Sequence, residues 1–305
     1  MTTGQETPST TEFLSLRPRL FAVAYRMIGT VSDAEDIVQD CFIRWQKTPR
    51  DRVKKPKSFL MRTVTNLCID RLRAAKRQRE DYHGEWLPEP ILTDDPAERT
   101  DHDVTVALML ALERLTPLER AAFLLRDVFD VDYDEISATL QRNPATCRKL
   151  VTRARAHVHE TRPRNSVTQA EGEAITIAFF EAARTGDTQA LSRLLAEDAR
   201  MISDGGGKVM AARSAISGRD RLVHFFAGLA KVKGGEPPEV WRFCHLNGLP
   251  AVLSHETAEG LIQTTALQIE DGQITGVYIV RNPDKTSHLA DLLSRSNCRN
   301  LRRQR

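Results

Sequence analysis

Two sets of cations in this chain fall at spacings suited to reading a nucleic acid. In PATCRKLVTRARAHV, residues 144–158, Arg148, Lys149, Thr152, Arg153 and Ala156 share one side of a helix, and Arg155 adds a further cation. Cys147, Leu150, Val151, Ala154 and Val158 fall on the opposite, apolar side. Arg can bond a guanine edge with two donors, and Arg or Lys also binds phosphate without reading sequence. Between Pro56 and Arg79, Arg62, Asn66, Arg73 and Arg77 line up at multiples of three, four or seven. Three cations and an amide in one stripe would track a phosphate backbone while the amide bonds an exposed base edge. Each stripe also has a plainer reading, a solvated basic helix face, and spacing alone leaves both open. Acid–base chemistry has thinner support: Asp204, His224, His245 and His255 are available in the C-terminal half, but no spacing among them forms a catalytic signature. We therefore expect no enzyme activity and no bound cofactor or metal.

The elements that must position these groups are mostly helical. Asp132–Leu140 carries Ile136 and Leu140 on one face, Gln141 to Asn143 is polar, and Pro144 suits a first helical position after an Asn143 cap. Two short helices with a tight turn have the format of a helix-turn-helix, whose second helix lies in the major groove, or of an ordinary helical hairpin. Upstream, residues 12–29 read as a helix stopped by Gly29. SDAEDIVQDCFIRWQ follows, with Ser32 and Glu35 as an expected capping box and Ala34, Ile37, Val38, Cys41, Phe42 and Trp45 inside. Its outer face, Asp36, Gln39, Asp40 and Ile43, is either plain solvent surface or a docking site. The helix from about Pro56 to Arg79 turns Leu60, Val64, Leu67, Cys68 and Leu72 inward.

Net charge is only +3, too mild by itself to imply a polyanionic partner, but its distribution is uneven. Residues 52–79 hold ten Lys or Arg against Asp70, residues 141–164 hold seven against Glu160, and residues 81–103 between them hold eight acids against Arg99. Two basic segments separated by an acidic one fit two surfaces that meet polyanion. No apolar run approaches the length of a membrane span, and MTTGQETPST lacks the parts of a signal peptide, so the chain reads as cytoplasmic. The five cysteines form no C-x-x-C pair, which argues against a zinc site or a disulfide framework.

After Glu160 the pattern becomes mixed. TRPRNSVTQ reads as a linker, and residues 171–184, 187–196 and 219–231 as helices. DARMISDGGGKVMAARSAI suggests two short strands around a Gly turn. Alternating strands then turn at Asn247-Gly248 and Asp271-Gly272. Helices followed by a curled antiparallel sheet would form a cone with an open mouth, leaving room for a small-molecule ligand. DGGGK, Asp204 to Lys208, reads as a tight loop whose glycines, Gly205, Gly206 and Gly207, permit close backbone approach, with Lys208 placed to pair with the acidic linker. In that linker, WLPEP carries a Trp beside a Pro-rich step that is costly to leave exposed, so Trp86, Leu87 and Pro88 are expected to dock.

In order and spacing, FLSLRPRLFAVAYRMIGTVSDAEDIVQDCFIRW, KSFLMRTVTNLCIDRLRAAKR and LERLTPLERAAFLLRDVFDVDYDEISATLQRNPATCRKLVTRARAHV resemble bacterial sigma factors of the extracytoplasmic-function type. The likeness covers about Glu12 to Glu160. The C-terminal half resembles the SnoaL-like family, and WLPEP, DGGGK and NPDK (Asn282, Pro283, Asp284, Lys285) look like signatures of the sigma group fused to such a domain. The resemblance implies an all-α region 2 over 12–80 and a linker over 81–103. An all-α helix-turn-helix region 4 over 104–161, an α+β SnoaL-like cone over 171–283 and a basic tail over 284–305 complete the expected multi-domain architecture.

It also implies roles. The partners would be RNA polymerase core enzyme and promoter DNA, with no membrane. Asp36, Gln39, Asp40 and Ile43 match the helix that binds the polymerase clamp. Asn66 matches the position that helps form a pocket for a base flipped out of the −10 element, with Arg62, Arg71, Arg73 and Arg77 on the DNA side. Extruding that base costs a few kcal/mol, which the pocket must recover. Arg148, Thr152 and Arg153 match the surface that meets the −35 element, with Lys149 and Arg155 on phosphate. The linker would run near the RNA exit path or serve as a flexible tether, and the extension would modulate the sigma half in cis. The alternatives are a stand-alone helix-turn-helix regulator and a DNA-tethered enzyme with an active cone.

Overall fold

The structure is a computed structural model that describes residues 8–79, 84–93, 105–158, 167–234, 240–256 and 260–293. The chain divides into two compact units, one of Met1–Glu80 with Leu108–Thr161 and one of Asp81–Ala107 with Arg162–Arg305.

The first unit is helical. Helices α1 (Pro8–Ile28), α2 (Val31–Lys47) and α3 (Pro56–Arg79) pack on one another around Leu20, Val23, Ala34, Val38, Cys41, Trp45, Leu60, Val64 and Cys68. Gly29 ends α1 at φ +88, with its N–H on Tyr25 O. The expected capping box at Ser32 and Glu35 is not the one used. The second helix starts two residues earlier, after Thr30, whose hydroxyl bonds Asp33, and Glu35 pairs with Arg17 of α1. Tertiary pairing with an arginine outcompetes the local box.

Helices α4 (Val106–Glu113), α5 (Pro117–Phe123), α6 (Tyr133–Leu140) and α7 (Pro144–Val158) follow. Thr116 and Glu119 form a full capping box ahead of α5 with Pro117 at its first position. Asp132 caps α6 by accepting from Glu135 N, Gln141 turns at φ +53, and Asn143 caps α7 by accepting from Thr146 N at 2.8 Å. The helix-turn-helix therefore follows the local signals. Cys147, Val151, Ala154 and Val158 are buried against α5 and α6.

The second unit is α+β. Helices α8 (Gln169–Thr185) and α9 (Thr188–Leu194) lead into β1 (Leu195–Asp204), then β2 (Ile216–Ser217), α10 (Arg219–Lys233), β3 (Val240–Leu246), β4 (Leu249–Glu256), β5 (Leu261–Glu270) and β6 (Gln273–Val280). Short helices α11 (Pro283–Thr286) and α12 (Ala290–Leu293) close it. The first helix begins two residues before the expected start because Thr168 and Glu171 form a capping box. One sheet runs in the order β2-β1-β6-β5-β4-β3. It is mixed rather than wholly antiparallel, since β1 lies parallel to β6 after the chain has crossed through α10 and four intervening strands. The two strands expected around the glycines form as β1 and β2, paired antiparallel with Arg200 opposite Ser217 and Met201 opposite Ile216, but β2 is two residues long and the connection is a loop over 205–215 rather than a tight turn. The two hairpins at Asn247-Gly248 and Asp271-Gly272 form as expected, each with both central residues at positive φ (50 and 72, 50 and 76). Cys41, Cys68, Cys147 and Cys244 are buried free thiols, and burial pushes the Cys41 thiol up to about 12, so they serve as small hydrophobes. Cys298 lies outside the described residues.

Candidate nucleic-acid interface and linker clasp

In the first unit, α3 brings Phe59, Arg62, Thr63 and Asn66 together with Arg44, Lys47 and Thr48 at the end of α2 around a recess of about 490 Å³. Arg62 is exposed and Asn66 half-buried, so the amide stands inside a rim of cations. Arg44, Lys47 and Thr48 escaped the sequence reading. Their signal was present, as basic residues in the last turn of the helix before the one that carries Asn66. Arg73 is exposed beside Asp70 at 3.8 Å. Arg71 bonds Asp33 and ties α3 to α2. The side chain of Arg77 lies outside the described residues. On the outer face of α2, Asp36, Gln39 and Asp40 are exposed and Ile43 is 39 % exposed, an apolar residue set among acids.

On α7, Arg148, Lys149, Thr152, Arg153 and Arg155 are all exposed. Arg148 lies over the Tyr133 ring at 5.1 Å, which aims its guanidinium from the packed base of the hairpin. Arg155 is committed within the fold. Its guanidinium makes a fork to Asp127 at 2.8 and 2.6 Å, and that bond raises its pKa.

The second unit holds the WLPEP segment rather than leaving it as a tether. Leu87 is 0 % exposed, and Pro88, Glu89 and Pro90 are buried. Around Leu87 and its prolines stand Leu246, Thr264, Ala266, Tyr278 and Val280, alternate residues of β5 and β6 with the end of β3. Burying one leucine this way contributes about 1.5–3 kcal/mol. Backbone bonds extend the hold: Ile91 N donates to Asn247 Oδ1 at 3.1 Å, Asn247 N to Ile91 O at 2.9 Å and Thr93 N to His245 O at 2.8 Å.

A buried ion pair closes the clasp. Asp204, at the last position of β1 and 0 % exposed, accepts from Leu87 N at 2.9 Å, Gly206 N at 2.9 Å and Lys285 Nζ at 2.8 Å. The same ammonium donates to Leu87 O at 2.6 Å and lies 4.5 Å from the centre of the Trp86 ring. One lysine and one aspartate thus hold both backbone groups of Leu87. Asn282 positions Lys285 by capping α11 through Asp284 N, with Pro283 at the first position. Two glycines are required here. A Cβ on Gly205 would meet Val209 O at 2.4 Å, and one on Gly206, at φ +62, would meet Asn282 Nδ2 at 2.3 Å. Gly207 continues the turn at φ +70. Among the described residues Lys208 meets Asp284, at 2.6 Å on the surface, rather than an acid of the linker. Lys285 makes the contact with Leu87. The acids at 81–83 and 94–103 lie outside the described residues.

Between the opposite face of the sheet and helices α8 and α10 lies a cavity of about 300 Å³. Its lining includes none of Asp204, His224, His245 and His255. Asp204 faces the clasp, His224 is exposed, and His245 is buried against Phe243. Among the described residues no cluster could hold a metal ion, and no helix is long and apolar enough to cross a membrane.

Residues 13–78 match the family model Sigma-70 region 2 and residues 105–158 match Sigma-70, region 4. The chain is 35 % identical over 291 residues to the ECF RNA polymerase sigma factor SigJ of Mycobacterium tuberculosis (strain ATCC 25618 / H37Rv), covering 90 % of this chain and 92 % of that one. It is 31 % identical over 293 residues to the probable ECF RNA polymerase sigma factor SigI of Mycobacterium tuberculosis (strain CDC 1551 / Oshkosh), covering 92 % and 95 %. The crystal structure of Mycobacterium tuberculosis SigJ superposes with a TM-score of 0.71 at 31 % identity, over 91 % of this chain and 98 % of that one. Identity of this extent, over both helical regions and the α+β unit alike, makes the chain a member of the ECF RNA polymerase sigma factors.

Proposed function

We propose that this protein is an alternative sigma factor that directs RNA polymerase core to specific promoters, and that its C-terminal unit sets its activity in cis. Residues 12–80 and 104–161 do the work of regions 2 and 4, and 171–283 regulate them. The exposed face Asp36, Gln39, Asp40 and Ile43 meets the polymerase. Asn66 and Arg62, with Arg44 and Lys47 beside them, receive the extruded base of the −10 element, while Arg71, Arg73 and Arg77 follow the backbone. Arg148, Thr152 and Arg153 face the −35 element, with Lys149 on phosphate and Arg155, held by Asp127, meeting at most the backbone beside it. Work of this kind takes place in the cytoplasm and asks for no catalytic group in the C-terminal cavity.

The regulatory reading is carried by one observation. The segment between regions 2 and 4 has its Leu87 buried in the C-terminal unit and both of its backbone groups held by Asp204 and Lys285. A linker fixed there limits the paths open to the two DNA-binding regions, so releasing or moving the clasp changes what they can reach. In vitro transcription with core polymerase, comparing the full chain with one ending after residue 165, tests both parts. Promoter-dependent transcripts whose level changes on truncation are expected. No transcript from any promoter pool, or no retention on core polymerase, sinks the sigma reading. Unchanged output and core affinity sink the regulatory one.

Arg148→Ala and Arg153→Ala are each expected to weaken binding to a −35 duplex by about 1–3 kcal/mol and to relax sequence preference. Arg155→Ala, whose guanidinium is engaged by Asp127, is expected to lower the melting temperature and to affect all sequences alike. Filter binding across a set of single-base variants reads both effects.

A further inference from the structure

The cavity and the clasp share the same strands. In β1, Met201 and Ser203 line the cavity and the next residue, Asp204, faces the other way into the clasp. At the end of β6, Ile279 and Arg281 line the cavity while Val280 packs near Leu87 and Asn282 begins the turn that carries Lys285. The backbone joins the two sites directly, since Arg281 N and Asn282 N both donate to Asp204 O, at 2.8 and 3.1 Å. The loop that forms one lip of the cavity, Met210 to Ala212, leaves Asp204 through the glycines, and Arg281 Nη1 donates to Met210 O.

The lining also specifies a ligand. Four rings, Phe179, Phe180, Phe225 and Phe226, line it with Met201 and Ile279, which suits flat rings. Its polar part combines Arg281 and Glu256 with Ser203, Gln263, Thr265 and Arg184, whose guanidinium is already paired with Glu181 at 2.7 Å. A cation and a carboxylate set together favour an uncharged group that accepts from one and donates to the other over a free anion, whose charge Glu256 would oppose.

We propose that this cavity binds a neutral, mostly apolar ring compound with one hydroxyl or carbonyl oxygen, and that filling it tightens the hold of Asp204 and Lys285 on Leu87. The regulatory half of this statement rests on the function proposed above; the ligand site does not. A compound lodged between α8, α10 and the sheet braces Ser203 and Arg281 from one side. The clasp residues on the other side of the same strand ends then open less often. Linkage limits the effect: a ligand that must leave before the clasp opens slows opening-dependent exchange by up to about 100-fold at 100 times its Kd.

The test uses the full chain with 2-naphthol as the probe and 2-naphthalenesulfonate as its anionic counterpart. Saturable 2-naphthol fluorescence is expected, with binding at least tenfold tighter than that of the sulfonate. Ala183→Phe, or Ala212→Trp from the loop side should the first disturb α8, is expected to weaken it at least tenfold by filling the space. Saturating probe is expected to slow hydrogen exchange at Leu87, Ile91 and Thr93 by tenfold or more in the parent chain and not in the filled variants. Absence of saturable binding, binding that the filled variants keep, or binding that leaves the exchange of 85–93 unchanged overturns the proposal. Each of these is read without polymerase, so failure here and failure of the transcription test are separate results.

Discussion

Replacing Lys285 with Met is expected to release the linker while leaving the C-terminal unit folded. Lys285 is 6 % exposed and Asp204 0 %, so the pair sits where water cannot replace a lost partner. Removing one partner of a buried pair costs about 3–5 kcal/mol because the other is left charged and unpaired. For Asp204 that loss would be softened by the N–H groups of Leu87 and Gly206, which still reach it. For Asp204→Ala the ammonium loses its carboxylate while Leu87 O and the Trp86 ring stay beside it, and neither carries a formal negative charge. Asp204→Ala should therefore be the more damaging change, lowering the melting temperature of the C-terminal unit by on the order of 10 °C. The double variant Asp204→Leu with Lys285→Met separates stability from regulation. Apolar replacement of a buried pair is often neutral, so much of the melting temperature should return, yet nothing remains to hold Leu87 N–H and C=O. Hydrogen exchange at residue 87 and transcription should both stay at the released level. A double variant with native exchange at Leu87 would show that apolar packing of WLPEP, not the ion pair, holds the linker.

What could be read from the sequence and what could not divide along a physical line. The helix-turn-helix was legible because its signals are local: Asn143 caps the helix it precedes, Pro144 starts it, and the stripe Cys147, Val151, Ala154, Val158 repeats at helical spacing. The docking of Trp86 and Leu87 was legible from the cost of leaving them in water, but not the place of docking. DGGGK and NPDK were both recognisable, yet which lysine holds Leu87 depended on strand pleat and on the turn set by Asn282: it is Lys285, while Lys208 pairs with Asp284. The parallel pairing of β1 with β6 joins residues some eighty positions apart, such as Met201 and Val277, and has no local mark. Arg120 was missed altogether. In LERLTPLER it looks like any surface cation, and only the packed helices reveal that it is 2 % exposed.

That arginine carries the second large effect. Arg120 Nη1, from α5, donates to Met27 O at 2.7 Å and to Glu113 Oε1 at 2.7 Å. Met27 lies in the last turn of α1, where carbonyls lack intrahelical partners, so a residue of region 4 caps a helix of region 2. Other contacts run the same way within the helical unit: Arg19 Nη2 donates to Phe129 O at 2.7 Å and Ser58 Oγ to Glu135 Oε1 at 2.6 Å. Elements named −10 and −35 stand about 25 base pairs apart, roughly 85 Å of duplex at 3.4 Å per step. A compact unit of about 130 residues has a radius of gyration of about 14 Å. Regions 2 and 4 packed on each other cannot occupy both elements, so on the proposed function these contacts must break. Arg120→Met is then expected to lower the melting temperature of the helical unit, at a cost of about 3–5 kcal/mol for Glu113 and Met27 O left without their cation. It is also expected to raise apparent affinity for core polymerase on a promoter with both elements, because less of the binding energy goes into opening. Arg120→Lys, which keeps the charge but not the reach of the guanidinium, should fall between the two. A variant that melts earlier and also binds promoter and polymerase more weakly would mean that Arg120 only supports the fold, and that the packed arrangement of regions 2 and 4 does not restrain the protein.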